Sequence, residues 1–136
     1  MMNASDQIRD LLESSRTIAV IGCSPKPDRA SHRVAAYLQR VGYRMIPVNP
    51  GVNEILGERC YSDLASIPAD VEIDIVDVFR RPEHIPLIAE AAVARGVRAL
   101  WLQLEVTNPE AERLAAAAGL VVVSNRCIKI EHTARF

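Results

Sequence analysis

The feature that most constrains this chain is the regular exchange of short apolar runs with longer amphipathic stretches, almost from end to end. Thr17-Ile-Ala-Val-Ile-Gly22 is apolar on both sides of a strand and closes in glycine. A strand with no polar side has helices on both faces. Further short runs read as strands are Arg44–Val48, Ile73–Val78, Ala99–Gln103 and Leu120–Val123. Between these runs the spacing predicts helices over about 30–41, 83–95 and 107–119. A shorter amphipathic helix over 5–14, with Ser5 or Asp6 as its cap, precedes the first strand. Strands separated by single helices imply crossover connections and a parallel sheet. The expected fold is α/β, a Rossmann-like doubly wound parallel sheet, formed by residues 1–136 as one domain.

Some segments are less regular. Pro47 lies inside the second run, where it cannot donate a ladder hydrogen bond. A short third strand is expected near Arg59–Tyr61, and one helical turn over Ser62–Ile67. Thr107-Asn-Pro-Glu110 reads as a helix start, with a hydroxyl cap, an early proline and a glutamate three residues on. Residues 124–132 form a tail that is partly helical.

The bulk numbers narrow the function classes. Sixteen basic and 17 acidic residues give a net charge of −1, which speaks against bulk nucleic-acid binding. No apolar run approaches membrane-spanning length, and no charged-then-apolar export signal opens the chain, so a cytoplasmic location is expected. The thiols Cys23, Cys60 and Cys127 are unevenly spaced and are expected to be reduced. They form no zinc-type spacing with His32, His84 and His132, and no metal site is expected.

Doubly wound sheets bind ligands beyond the carboxyl ends of their strands. Attention falls on 22–32, 48–51, 79–82, 103–107 and 124–127. In the first of these, Gly22 permits a tight bend, and Cys23, Ser24, Lys26 and Pro27 lead to a helix start near His32. A helix amino end attracts an anion, and Ser24 and Lys26 add a hydroxyl and a charge. The full G-x-G-x-x-G pattern is absent, and a plain strand–helix turn with a surface lysine is the competing reading. The second strand ends Val48-Asn49-Pro50 without the carboxylate that grips an NAD ribose, which leaves room for a phosphorylated sugar. Phe79 and Pro82 can wall an adenine, with Arg80 or Arg81 meeting a phosphate. Gln103 can reach the cleft. Asp74 and Asp77 cannot both face the core unpaired as carboxylates.

These segments, in this order and spacing, resemble the CoA-binding domain family in its small stand-alone (YccU-like) branch. The resemblance rests on Ile18-Ala-Val-Ile-Gly-Cys-Ser-Pro-Lys-Pro27, Tyr43–Pro50, Ile55-Leu-Gly57 with Cys60-Tyr61, Asp77–Pro82, Trp101-Leu-Gln103 and Asn125-Arg-Cys127 with Glu131-His132. It implies sheet order 3-2-1-4-5-6, and coenzyme A or acyl-CoA as the ligand. It carries Gly22, Ser24 and Lys26 to the pyrophosphate, and Val48, Asn49 and Pro50 to the ribose or adenine side. Phe79 and Arg80 close the other wall, with Asn125 and Cys127 near the thiol arm. The related α subunit of succinyl-CoA synthetase needs a second domain for its phosphorylated histidine, for which 136 residues leave no room. Binding without catalysis is therefore the expected function. An NAD(P)-dependent oxidoreductase, an acyl-CoA-handling subunit and a redox-responsive module acting through Cys23 or Cys127 stand as alternatives. No Ser–His–acid set or carboxylate pair is defined by spacing.

Overall fold

The computed structural model describes residues 3–136. Helix α1 (Ala4–Ser14) precedes strand β1 (Thr17–Ile21), α2 (Ala30–Arg40) and β2 (Arg44–Val48). A hairpin follows, β3 (Glu54–Ile55) and β4 (Glu58–Arg59), and then a 3-10 turn at Leu64–Ser66. Next come β5 (Ile75–Val78), a 3-10 turn at Pro82–His84, α3 (Ile85–Arg95), β6 (Ala99–Leu102), α4 (Pro109–Ala117), β7 (Val121–Val123) and α5 (Ile128–Arg135).

The five main strands form one sheet in the order β2-β1-β5-β6-β7, every pair parallel. Side-chain alternation divides the core in two. Ile18, Val20, Ile75, Ala99 and Trp101 face α1, α2 and α5. Ala19, Ile21, Val76, Val78, Leu100 and Leu102 face α3 and α4. Strands buried on both faces are what the doubly apolar runs demanded.

The third strand of the expected order shrinks to one residue. Tyr61 makes an isolated parallel bridge to Val48 outside β2. Residues just before it turn back as the β3–β4 hairpin, around Leu56 (φ 54°) and Gly57 (φ 77°), a two-residue turn with both φ positive. This truncation explains Pro47. Its carbonyl points outward and accepts from the Tyr61 amide at 3.1 Å. A residue's N–H and C=O leave a strand on the same side, so the missing N–H falls on an edge where no full strand waits.

Helix ends differ from expectation by one or two residues. Asn3, not Ser5 or Asp6, caps α1 by accepting from the Asp6 amide at 2.8 Å. Asn108, not Thr107, caps α4: its Oδ1 accepts from the Ala111 amide, while Glu112 accepts from the Asn108 amide at 2.9 Å. The amide-bearing side chain outcompetes the neighbouring hydroxyl because Pro109 sits at N1 directly after it. Asp74 lies before β5, and its Oδ2 accepts from the Arg16 and Thr17 amides, which ties the starts of β1 and β5 together. No described helix is long and apolar enough to cross a membrane.

Candidate functional site

The bend after β1 is built on Gly22 at φ +82°, a left-handed conformation that suits glycine. A Cβ there would stand 2.3 Å from the Phe79 carbonyl oxygen, so the close approach of β1 and β5 also requires glycine. The amides of Gly22 and Cys23 both donate to the Val48 carbonyl, at 2.9 and 3.3 Å. They hold the loop against β2 and are spent. Ser24 N–H donates to Ser31 Oγ at 2.9 Å, and Lys26 N–H to Ser24 Oγ at 3.1 Å. His32 Nδ1 meets the Ser24 carbonyl at 2.8 Å, and Asn49 Nδ2 donates to the Cys23 carbonyl at 2.7 Å. The loop is thus braced from both sides, by side chains of α2 and by Asn49 just after β2.

What remains open is the amino end of α2. Its cap position, Arg29, supplies no side-chain hydrogen bond. The amides of Ala30 and Ser31 have no partner among the described residues. Both residues line a cavity of about 420 Å³ together with Gly22, Ser24, Lys26 and Arg29. Two orphan N–H donors at the positive end of a helix dipole, beside a lysine and an arginine, are suited to a phosphate-sized anion.

Two further cavities adjoin this one along the carboxyl edge of the sheet. The first, about 380 Å³, lies between the ends of β1 and β2 and helix α3, walled by Ile21, Val48, Pro50, Leu64, Ile88 and Ala91. Gly22 borders both it and the anion cavity. Asp63 touches it, but Asp63 Oδ1 already accepts from the Ser66 amide and hydroxyl. The second, about 480 Å³, runs from α2 over the ends of β5 and β6 to Cys127. It shares Ala30 and Phe79 with the anion cavity and Arg80 with the apolar one. An anion seat flanked by two mainly apolar recesses is open to an extended ligand carrying a central phosphate.

The loops that follow β6 and β7 are locked to each other. Asn125, at φ 56°, accepts from the Glu105 amide with its Oδ1 at 2.7 Å. Gln103 is 5% exposed and accepts from the Ile128 amide with its Oε1 at 3.1 Å, which fixes the start of α5. Trp101 is fully buried and donates its indole N–H to the Arg126 carbonyl at 2.8 Å.

The thiols separate by environment. Cys23 is fully buried in the core and touches none of the three cavities. Burial, helped by Cys60 and Asp77 nearby, pushes its thiol up to about 12. Desolvation outweighs the pull of the nearby positive helix end on a thiolate, and Cys23 fills a tight turn. Burial also raises the Cys60 thiol. Cys127 is half-buried at the start of α5 and lines the 480 Å³ cavity. Asp77, on β5, is fully buried with neither oxygen hydrogen-bonded among the described residues. Burial raises its carboxyl well above the usual range, so the pair Asp74 and Asp77 divides into one amide-bound carboxylate and one buried acid held towards its neutral form.

Of the residues singled out from sequence, Gly22, Ser24, Lys26, Val48, Pro50, Phe79, Arg80, Pro82, Gln103 and Cys127 line the three adjoining cavities. Cys23, His32, Asn49 and Asn125 instead hold loops in place through their own or their neighbours' hydrogen bonds. Pro27 is exposed and lines none of them. Arg29 and the α3 residues Ile88 and Ala91 join the site without having been singled out. Arg29 sits at the helix cap position beside the anion cavity, a signal readable in the loop. The α3 wall depends on how α3 packs, which has no local sequence mark.

A model of the CoA binding domain family matches residues 16–133. The protein YneT of Bacillus subtilis is 41% identical over 133 residues, covering 97% of both chains. An ADP-forming acetate–CoA ligase of Methanocaldococcus jannaschii is 23% identical over 87% of this chain, which spans only 18% of that enzyme. Among solved structures, a protein from Thermus thermophilus superposes with TM-score 0.92 at 36% identity, covering 99% of this chain and 100% of the other. A hypothetical protein from Pyrococcus horikoshii superposes with TM-score 0.92 at 38% identity, covering 97% and 92%. With its model matched across nearly the whole sheet and every cavity-lining loop, the chain belongs to the CoA-binding domain family.

Proposed function

We propose that this protein binds coenzyme A across the carboxyl edge of its sheet, with the diphosphate on the amino end of α2. The observation that carries this reading is the pair of unspent amides at Ala30 and Ser31, beside a cavity that also holds Lys26 and Arg29. The adenosine lies against Val48 and Pro50 in the apolar recess beside α3. No carboxylate ends β2, so a phosphorylated ribose meets no repulsion from that strand. The pantetheine arm leaves in the other direction, past Phe79 and Arg80. In this reading no residue has a catalytic role; Asn49 and His32 shape the loop without touching the ligand, and Gly22 borders it where the diphosphate and adenosine seats meet.

Titration calorimetry with CoA, dephospho-CoA, NAD and NADP tests the reading. CoA is expected to bind with the highest affinity of the four. Tight binding of NAD by a chain that ignores CoA would overturn it.

A further inference from the structure

At the amino edge of the sheet, opposite the edge proposed for CoA, lies a cavity of about 430 Å³. Helices α1 and α2 both end there. Glu13 belongs to the last turn of α1, and the cap residues Ser15 and Val41 line the cavity with it. Helix carboxyl ends carry partial negative charge. An arginine stands at the start of each following strand, Arg16 directly before β1 and Arg44 as the first residue of β2. Both line the cavity, and the Arg44 amide donates to the Arg16 carbonyl at 2.8 Å. Neither guanidinium has a hydrogen-bond or ion-pair partner among the described residues. Glu13 meets Arg9 only at 4.0 Å, with both side chains more than half exposed. Such a pair contributes little and leaves the carboxylate free to take another cation.

The remaining wall is apolar and held still. Phe136 stacks on His132 at 4.8 Å, and Tyr43 meets the same imidazole edge-on at 5.8 Å. The Tyr43 hydroxyl donates to the Leu12 carbonyl, which fixes its ring. His132 Nδ1 lies 2.6 Å from the Tyr37 hydroxyl, and burial lowers its titration, so it adds no charge at neutral pH. Phe136 and Val41 are nevertheless 53% and 40% exposed. Walls fixed in advance lower the cost of ordering a ligand against them.

We infer that this cavity binds a free α-amino acid with a large apolar side chain, at a site separate from that of CoA. Two unpartnered guanidiniums, Arg16 and Arg44, take its carboxylate. Glu13 and the carboxyl ends of α1 and α2 take its ammonium. Its side chain lies beside Tyr43 and covers Val41 and Phe136. The cavity's size suits a ligand of this kind. A diphosphate suits it poorly, since Glu13 and two helix ends repel the added negative charge.

The test is backbone amide NMR of the full chain titrated with L-phenylalanine, 3-phenylpropionate, phenethylamine and glycine. Phenylalanine is expected to shift the amides of Gly42 and Tyr43. 3-Phenylpropionate, which lacks only the ammonium, is expected to bind about fivefold more weakly, and phenethylamine, which lacks only the carboxylate, about tenfold. Glycine loses the apolar contact and is expected to bind at least about tenfold more weakly. Phenylalanine that moves no amide at millimolar concentration, or moves Ala30 and Ser31 in place of Gly42 and Tyr43, overturns the site. Either single-charge analogue binding as tightly as phenylalanine overturns the amino-acid assignment, and glycine doing so overturns the apolar wall. Arg44→Ala is expected to weaken phenylalanine about tenfold with thermal unfolding unchanged; an unaltered affinity contradicts the inference. If that variant fails to fold, the four-ligand series on the unaltered chain decides the matter.

Discussion

Replacing Asp77 by asparagine removes one titration from the centre of the sheet and leaves its shape almost unchanged. Asp77 pairs in register with Val20 on one side and Trp101 on the other, and both are fully buried. Its carboxyl has no hydrogen-bond partner among the described residues, and burial raises its titration well above the usual range. The folded chain therefore keeps a proton that the unfolded chain releases near pH ~3.9. Stability is highest below that value and falls as pH rises towards the folded-state titration. The slope is about 1.4 kcal/mol per pH unit. An asparagine side chain cannot ionise, so the Asp77→Asn variant lacks this slope. Between pH 4.5 and pH 7 the stability difference between variant and parent should widen in favour of the variant by about 1.4 kcal/mol per pH unit for as long as the folded acid stays protonated. Urea unfolding of both proteins at half-unit pH steps measures it. A difference that stays flat across that range would show that Asp77 ionises freely in the fold, and would refute the reasoning.

Other expectations follow from the same geometry. Gly22→Ala places a Cβ 2.3 Å from the Phe79 carbonyl oxygen at φ +82°, and should cost at least about 2 kcal/mol in thermal unfolding as well as weaken CoA binding; unchanged stability would mean that β1 and β5 approach less closely. Lys26→Ala should weaken CoA about fivefold to tenfold by calorimetry, by loss of one partly solvated charge-assisted contact, with little change in stability. A disulfide reagent at pH 8 should label Cys127 ahead of Cys23 and Cys60, because burial raises the latter two thiols and Cys127 opens to a cavity. A rapid phase that survives Cys127→Ser and vanishes in Cys23→Ser would contradict that order.

Much of the fold is legible because its signals are local and doubled. Ile18, Ala19, Val20 and Ile21 alternate between two faces that are both covered, so a continuous apolar run leaves little besides an inner parallel strand. The rudimentary third strand is legible only in part: a short strand is expected near Arg59–Tyr61, but that Tyr61 alone bridges Val48 while the residues before it turn back as a hairpin depends on tertiary pairing across the edge. At the site, glycine and lysine mark the anion loop in sequence, but the direction of each amide is tertiary. Gly22 and Cys23 turn inward to Val48, and the free donors lie further along the loop, at Ala30 and Ser31. Cys23 shows the same limit: nearness to a helix end along the chain says nothing about the desolvation that the packed core imposes. Asp77 reads in sequence as a polar strand residue needing a partner, and only the packed sheet shows that Asp74 takes the available amides.

The account stands on the amino end of α2 receiving a diphosphate. Backbone amide NMR during titration with CoA reads this directly, residue by residue. The amides of Ala30 and Ser31 should shift furthest, as they gain charge-assisted hydrogen bonds, while those of Gly22 and Cys23 keep their bonds to Val48 and move less. Shifts concentrated at the opposite edge, around Arg16, Arg44 and His132, with Ala30 and Ser31 unmoved, would contradict the account.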